Sequence, residues 1–165
     1  MNETSHLDQL LQDDIDLIRD KVSQMADLVE RALKESRLAL LKGKGKLAYS
    51  VMFRDRHIDE LEKEIDRLCI EFLVKQQPVA SDLRFVYATI KINQELERIG
   101  DYAESIAREA VAMRSLESEE DLGDIQAISD IAIPMVVNAM KAFLDGDMEL
   151  AKTTIRQEKV ANDYR

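Results

Sequence analysis

The chain of 165 residues carries 33 Asp and Glu against 23 Lys and Arg, a net charge of −10, with 45% hydrophobic and 34% charged residues. This composition is that of a globular protein rather than a disordered or fibrous one. So acidic a surface repels phosphate backbones, which speaks against nucleic-acid binding and makes cations and basic protein faces the natural partners.

The opening run MNETSHLDQLLQDD has neither a basic n-region nor an apolar h-region, so no secretory signal is expected. His6 falls in a terminus expected to fray. From residue 7 to residue 41 the spacing predicts a first helix. Leu11, Ile15, Ile18, Val22, Met25, Val29 and Ala32 repeat at 4-3-4-3 intervals, the seam of a helix packed on nearly parallel neighbours. Asp13, Asp20, Asp27, Arg31 and Lys34 form its solvated face. Gly43 and Gly45, set among Lys42, Lys44 and Lys46, end it, since Gly takes the left-handed cap conformation with little strain.

A second helix is predicted over 47–75, with Ile58, Leu61, Ile65, Leu68 and Phe72 as its apolar stripe. Cys69 borders that stripe as a small buried hydrophobe. It is the only cysteine, so no internal disulfide forms, as suits a reducing cytosol. Gln76-Gln77-Pro78 stops the helix. A third helix follows over 79–114. Residues 115–124, SLESEEDLGD, read as an acidic linker. A fourth helix is expected over 125–144, kinked or broken at Pro134, and a fifth from Met148 onward. No stretch approaches ~18 uninterrupted apolar residues, so no membrane span is expected. Five Gly, two Pro and no Trp are too few for a turn-rich β protein. The fold class is all-α.

The turn from Leu41 to Ala48 reappears as Leu144 to Ala151 at a constant offset of about 100 residues, the mark of an internal duplication. Residues 1–114 then form a first three-helix bundle, and 125–165 the first part of a second. That second unit stops at Arg165 in mid-helix. It therefore reads as truncated, or as completed by another chain.

Asp55, Asp59, Glu62 and Asp66 follow one another at i, i+4, i+7 and i+11, within ~60° of arc on the second helix. On the third, the stripe Leu83, Val86, Ile90 continues at heptad spacing into Asn93, Glu97 and Asp101. If the two helices pack antiparallel about a turn near residue 77, both acid pairs lie ~30 Å from it, at the same height. Such a constellation is either a solvated acidic face or a site for a divalent or ferric ion. No nucleophile, Gly-rich phosphate loop or triad accompanies the acids, so no enzyme is expected. No Glu-x-x-His pair falls within a core helix, which excludes the ferritin-like di-iron pattern. His57 points to the other side of its helix from Asp55 and Asp59. Gly100, between Glu97 and Asp101, either permits close helix approach or is merely tolerated.

The segments DRHIDELEKEI at 55–65 and KQQPVASDLRFVYATIKINQELERIGDYAESIA at 75–107, with the repeat, resemble the PhoU family. The resemblance implies tandem three-helix bundles and often a homodimer. It also implies a cytoplasmic negative regulator that couples a phosphate ABC transporter ATPase to a sensor histidine kinase, reaching the membrane only through those partners. The family's E/D-x-x-x-D motifs match at Asp55 with Asp59 and at Glu97 with Asp101, which implies iron, zinc, manganese or magnesium held there. In the second unit only Glu158-x-x-x-Asn162 is present, with Asn162 in place of a carboxylate. Two alternatives stand beside this reading: a metal-dependent or metal-storing bundle, and a structural helical adaptor.

Overall fold

The computed structural model describes residues 3–115 and 122–162; the side chains of His6 and Asn162 and most of the acidic linker lie outside the described ones. Five helices appear in chain order: α1 (Glu3–Lys42), α2 (Gly45–Gln76), α3 (Ala80–Ser115), α4 (Gly123–Asp145) and α5 (Met148–Asn162). Among the described residues there is no strand. The expected boundaries hold to within a few residues.

Helices α1, α2 and α3 pack on one another pairwise, while α4 packs on α1 and α5. The 4-3 seam of α1 goes inward as its period requires: Ile15, Ile18, Val22, Met25 and Val29 are buried. They meet Ile58, Ile65, Cys69 and Phe72 of α2 and Val86 and Leu96 of α3 in one core. The third-helix stripe begins one step later than the sequence suggested. Leu83 is 47% exposed, and the stripe becomes buried at Val86. Nearer the α1–α2 turn the core changes character. Ala39, Ala48, Ala107 and Ala110 close around Val51, so three backbones approach where side chains are short.

The two repeated turns share their backbone geometry. Gly43 (φ +60°) and Gly146 (φ +68°) both take the left-handed conformation that favours glycine. In the first turn the Lys44 amide donates to the Ala39 carbonyl at 3.0 Å, and in the second the Asp147 amide donates to the Ala142 carbonyl at 2.9 Å. Only the second turn has a side-chain cap: Asp147 Oδ1 accepts from the amides of Glu149 and Leu150, satisfying two free donors of α5. Between α2 and α3, Gln77 takes φ 44°, an uncommon conformation for a residue with a Cβ.

Pro134 does not break α4, which runs unbroken from Gly123 to Asp145. On α1, Arg37 binds Asp130 of α4 at 2.5 Å, and on α3 the Phe85 ring stacks against Phe143 at 5.7 Å. The expectation of no membrane-length apolar stretch needs correcting. By length and composition α4 is long and apolar enough to cross a membrane, because isolated polar residues such as Asn138 and Lys141 interrupt its apolar run without outweighing it. Here α4 instead borders an open groove of about 480 Å³ between α3, α4 and α5, with Ile92, Ile99, Met135, Ala139, Ile155 and Glu158 on its walls.

Candidate functional site

The four acids singled out by spacing come together. Asp55 and Asp59 of α2 are half-buried, as is Glu97 of α3, while Asp101 is exposed at the edge of the cluster. Gly100 explains how the two helices come so close here. A Cβ at that position would lie 2.9 Å and 3.2 Å from two carbons of Ile58 and 3.7 Å from Asp55 Oδ1. Of the two readings left open for Gly100, close approach is the one the geometry bears out.

Proximity shows in the acidities. Burial pushes the Asp55 carboxyl up to about 6, and Glu104, Asp59, Asp101 and Glu97 push it the same way in decreasing order. Glu97 is raised by burial and then by Asp101, Glu62 and Asp59. Glu62 is raised by burial and by Asp66 and Asp59, against a lowering by Lys63. One continuous field of like charge therefore runs along the α2–α3 seam.

Glu104 is the member that spacing reasoning passed over, and among the charges acting on Asp55 it comes first. The signal was present: Glu104 lies one heptad beyond Glu97 on the same face of α3. Its own partner is Arg108 at 2.6 Å. Nearby, Arg54 borders the same small cleft as Asp55 but is engaged by Glu35 of α1. The cluster is thus only partly neutralised.

Asn93, expected as the start of the acidic row, is instead a buried clamp between α2 and α3. Its Nδ2 donates to the Glu62 carbonyl at 2.8 Å and to Asp66 Oδ1 at 3.0 Å. His57 stays outside the cluster, turned back on its own helix with Nδ1 3.2 Å from the Arg54 carbonyl oxygen. Cys69 is fully buried, and burial followed by Asp66 pushes its thiol up to about 12, so it is inert packing rather than a nucleophile.

Carboxylate oxygens, partly sheltered and short of positive charge, are the donor set a hard cation prefers. They are not preassembled as a ligand shell. Among the described residues no three or more His, Cys, Asp or Glu side chains form a group that could hold a metal ion.

A family model described as the PhoU domain matches residues 22–110. The chain belongs to the PhoU family. It is similar to the "Phosphate-specific transport system accessory protein PhoU homolog" of Pseudomonas putida, with 33% identity over 98% of this chain and 64% of that protein. It is also similar to "Phosphate-specific transport system accessory protein PhoU" of Escherichia coli (strain K12), with 31% identity over 96% of this chain and 66% of that one. The chain thus spans a little less than two thirds of the length of these relatives. The crystal structure of PhoU from Pseudomonas aeruginosa superposes with a TM-score of 0.83 at 31% identity, over 92% of this chain and 77% of that one. The matched PhoU-domain segment takes in Asp55, Asp59, Glu97, Asp101 and Glu104, so the coupled carboxylates belong to the PhoU-like part of the molecule.

Proposed function

We propose that this PhoU-family chain is a cytoplasmic, noncatalytic accessory of phosphate transport that restrains phosphate uptake and the phosphate-starvation response when phosphate is plentiful. It would do so by docking helical surfaces against a phosphate ABC transporter ATPase and a sensor histidine kinase. The observation that carries this reading is similarity along nearly the whole chain to proteins named as accessories of the phosphate-specific transport system. The net charge of −10 fits partners with basic surfaces, where charge speeds and steers association more than it strengthens it. In a phosphate-replete cell, a pull-down on this chain should recover transporter or kinase components; recovery of neither would overturn the reading.

The same proposal includes a metal at Asp55, Asp59, Glu97 and Asp101, supported by the coupling among these carboxylates. Elemental analysis of Asp59→Ala and Asp101→Ala tests it, with metal content falling in both if the site is right and unchanged in both if it is wrong. A structural adaptor is the second reading. It is favoured by the lack of a preassembled ligand group among the described residues, and an unmoved melting temperature on adding divalent ions would support it. The proposal also treats α4 and α5 as two helices of a second three-helix bundle, with the α3–α4–α5 groove as the seat of its third. Shared turn geometry at the repeat offset supports that arrangement.

A further inference from the structure

The two repeated turns share a backbone geometry and carry opposite charge. Lys42, Lys44 and Lys46 of the first stand where Asp145, Asp147 and Glu149 stand in the second. Acids suit this geometry, since Asp147 caps α5 and Glu149 lies in its first turn, at the positive end of the helix. Lys42, in the last turn of α1, is also well placed. Lys44 and Lys46 are not. Lys44 is the N-cap of α2 and makes no side-chain cap, Lys46 lies in the first turn, and no acid in that turn offsets them. Both charges therefore sit at the positive end of a 32-residue helix, where they are locally unfavourable. All three lysines are exposed. Among the described residues none of them makes an ion pair, although acids outnumber bases by 33 to 23. Local folding does not account for this much unpaired positive charge on one turn.

Beside the turn lies an open hollow of about 670 Å³, lined by Leu38 of α1, Leu47 of α2, and Lys44 and Lys46. Leu38 is 38% exposed and Leu47 is half-buried. These leucines line a concave surface. A membrane anchor would instead need apolar side chains standing out beyond its lysines. Apolar walls beside clustered lysines fit a chain segment that carries an apolar side chain among carboxylates, with charge complementarity setting where it lands.

We propose that the α1–α2 turn docks an acidic segment of a partner protein. An apolar side chain of that segment enters the hollow between Leu38 and Leu47, and carboxylates beside it pair with Lys42, Lys44 and Lys46. This place for an acidic partner on an acidic protein does not depend on the phosphate-transport reading.

A labelled peptide with one leucine flanked by three glutamates on each side, titrated against the whole chain at low salt, tests it. The peptide should bind, and added salt should weaken the binding. Lys44→Asp, which copies the second turn, should weaken it at least about tenfold, and adding Lys46→Glu should abolish it. The melting temperature of Lys44→Asp should hold or rise, because the aspartate gains the cap that Asp147 makes. A fall would show that Lys44 serves the fold and would overturn the docking role. No binding by the wild-type chain, or equal binding by the variants, overturns the site. Vesicles of equal parts phosphatidylcholine and phosphatidylserine that bind in preference to the peptide overturn it in favour of a membrane. The linker at 115–124 has the partner's chemistry, so the titration is repeated with Glu117, Glu119, Glu120 and Asp121 changed to amides. Binding that appears only in that variant overturns an external partner in favour of the chain's own linker.

Discussion

The α1–α3 unit and the α4–α5 pair begin from the same turn and end differently. In the first unit Ser36 is buried, Ala32 is half-buried, and Val51 is sealed between α1 and α3. At the repeat offset their counterparts are Met135, Ala139 and Thr154, all on the walls of the open groove. Likewise Asp55 faces α3, whereas its counterpart Glu158 faces that groove. A third helix does two things in the first unit that no described helix does beside α4 and α5: it closes the core, and it sets acids opposite acids. Beside α4 and α5 the described residues leave an apolar trough with Glu95 and Glu158 on its walls.

The widest gap between the regions should appear on truncating one large apolar residue in each. Phe72 is 2% exposed and central to the first core, so Phe72→Ala should cost about 3–5 kcal/mol. Ile155 is 67% exposed, so Ile155→Ala in this chain should change stability by only about 0.5 kcal/mol or less. Denaturant titration measures both. A large loss from Ile155→Ala would mean that the groove is filled in solution.

The next largest effect lies at the α2–α3 contact. Gly100→Val pushes a branched side chain into Ile58, and overpacking of this kind costs about 1–3 kcal/mol. The same change should disturb the carboxylates, because Asp55 lies against the same spot. The turns give a finer contrast. Asp147→Ala removes the acceptor of two helix-start amides and should cost about 1 kcal/mol. Lys44 makes no side-chain cap, so Lys44→Ala at the equivalent position should cost almost nothing.

Helices and turns were legible in the sequence because each is decided locally. The seam of α1, the glycines at 43 and 146 and the Pro78 break act through neighbours a few residues away. The meeting of Asp55 and Asp59 with Glu97 and Asp101 was also legible, since a short antiparallel turn converts sequence distance into height. What could not be read was set by packing between helices. Asn93 looked like one more polar member of a row, and only the depth of the α2–α3 contact makes it a buried clamp. Leu83 had the right period for the core but stays 47% exposed. Pro134 sits inside an unbroken α4, where the sequence alone left a kink or a break as the expectation. Glu104 lies outside the E/D-x-x-x-D motif, one heptad step beyond Glu97, and only the packing of α3 on α2 brings its charge to Asp55.

The smallest effect is the one that reports on the site itself. The Asp55 carboxyl, raised from an ordinary 3.8 to about 6, holds its proton more tightly folded than unfolded. Its contribution to stability is therefore present below pH 4 and is lost as pH rises through about 6. Asp55→Asn removes that loss. At pH 7.5 without metal the variant should be more stable than the parent, by about 1 kcal/mol or less because the group is partly solvated, and at pH 3.5 the advantage should vanish. Glu104→Gln, which removes the foremost of the charges acting on Asp55, should shift the same midpoint downward. Added divalent cations should reverse the ranking, since an ion bound to ionised Asp55 stabilises the parent and not the variant. Thermal melts at the two pH values, with and without the cation, separate a strained acidic face from a metal site. The strain exists either way, and only the metal site turns it into binding.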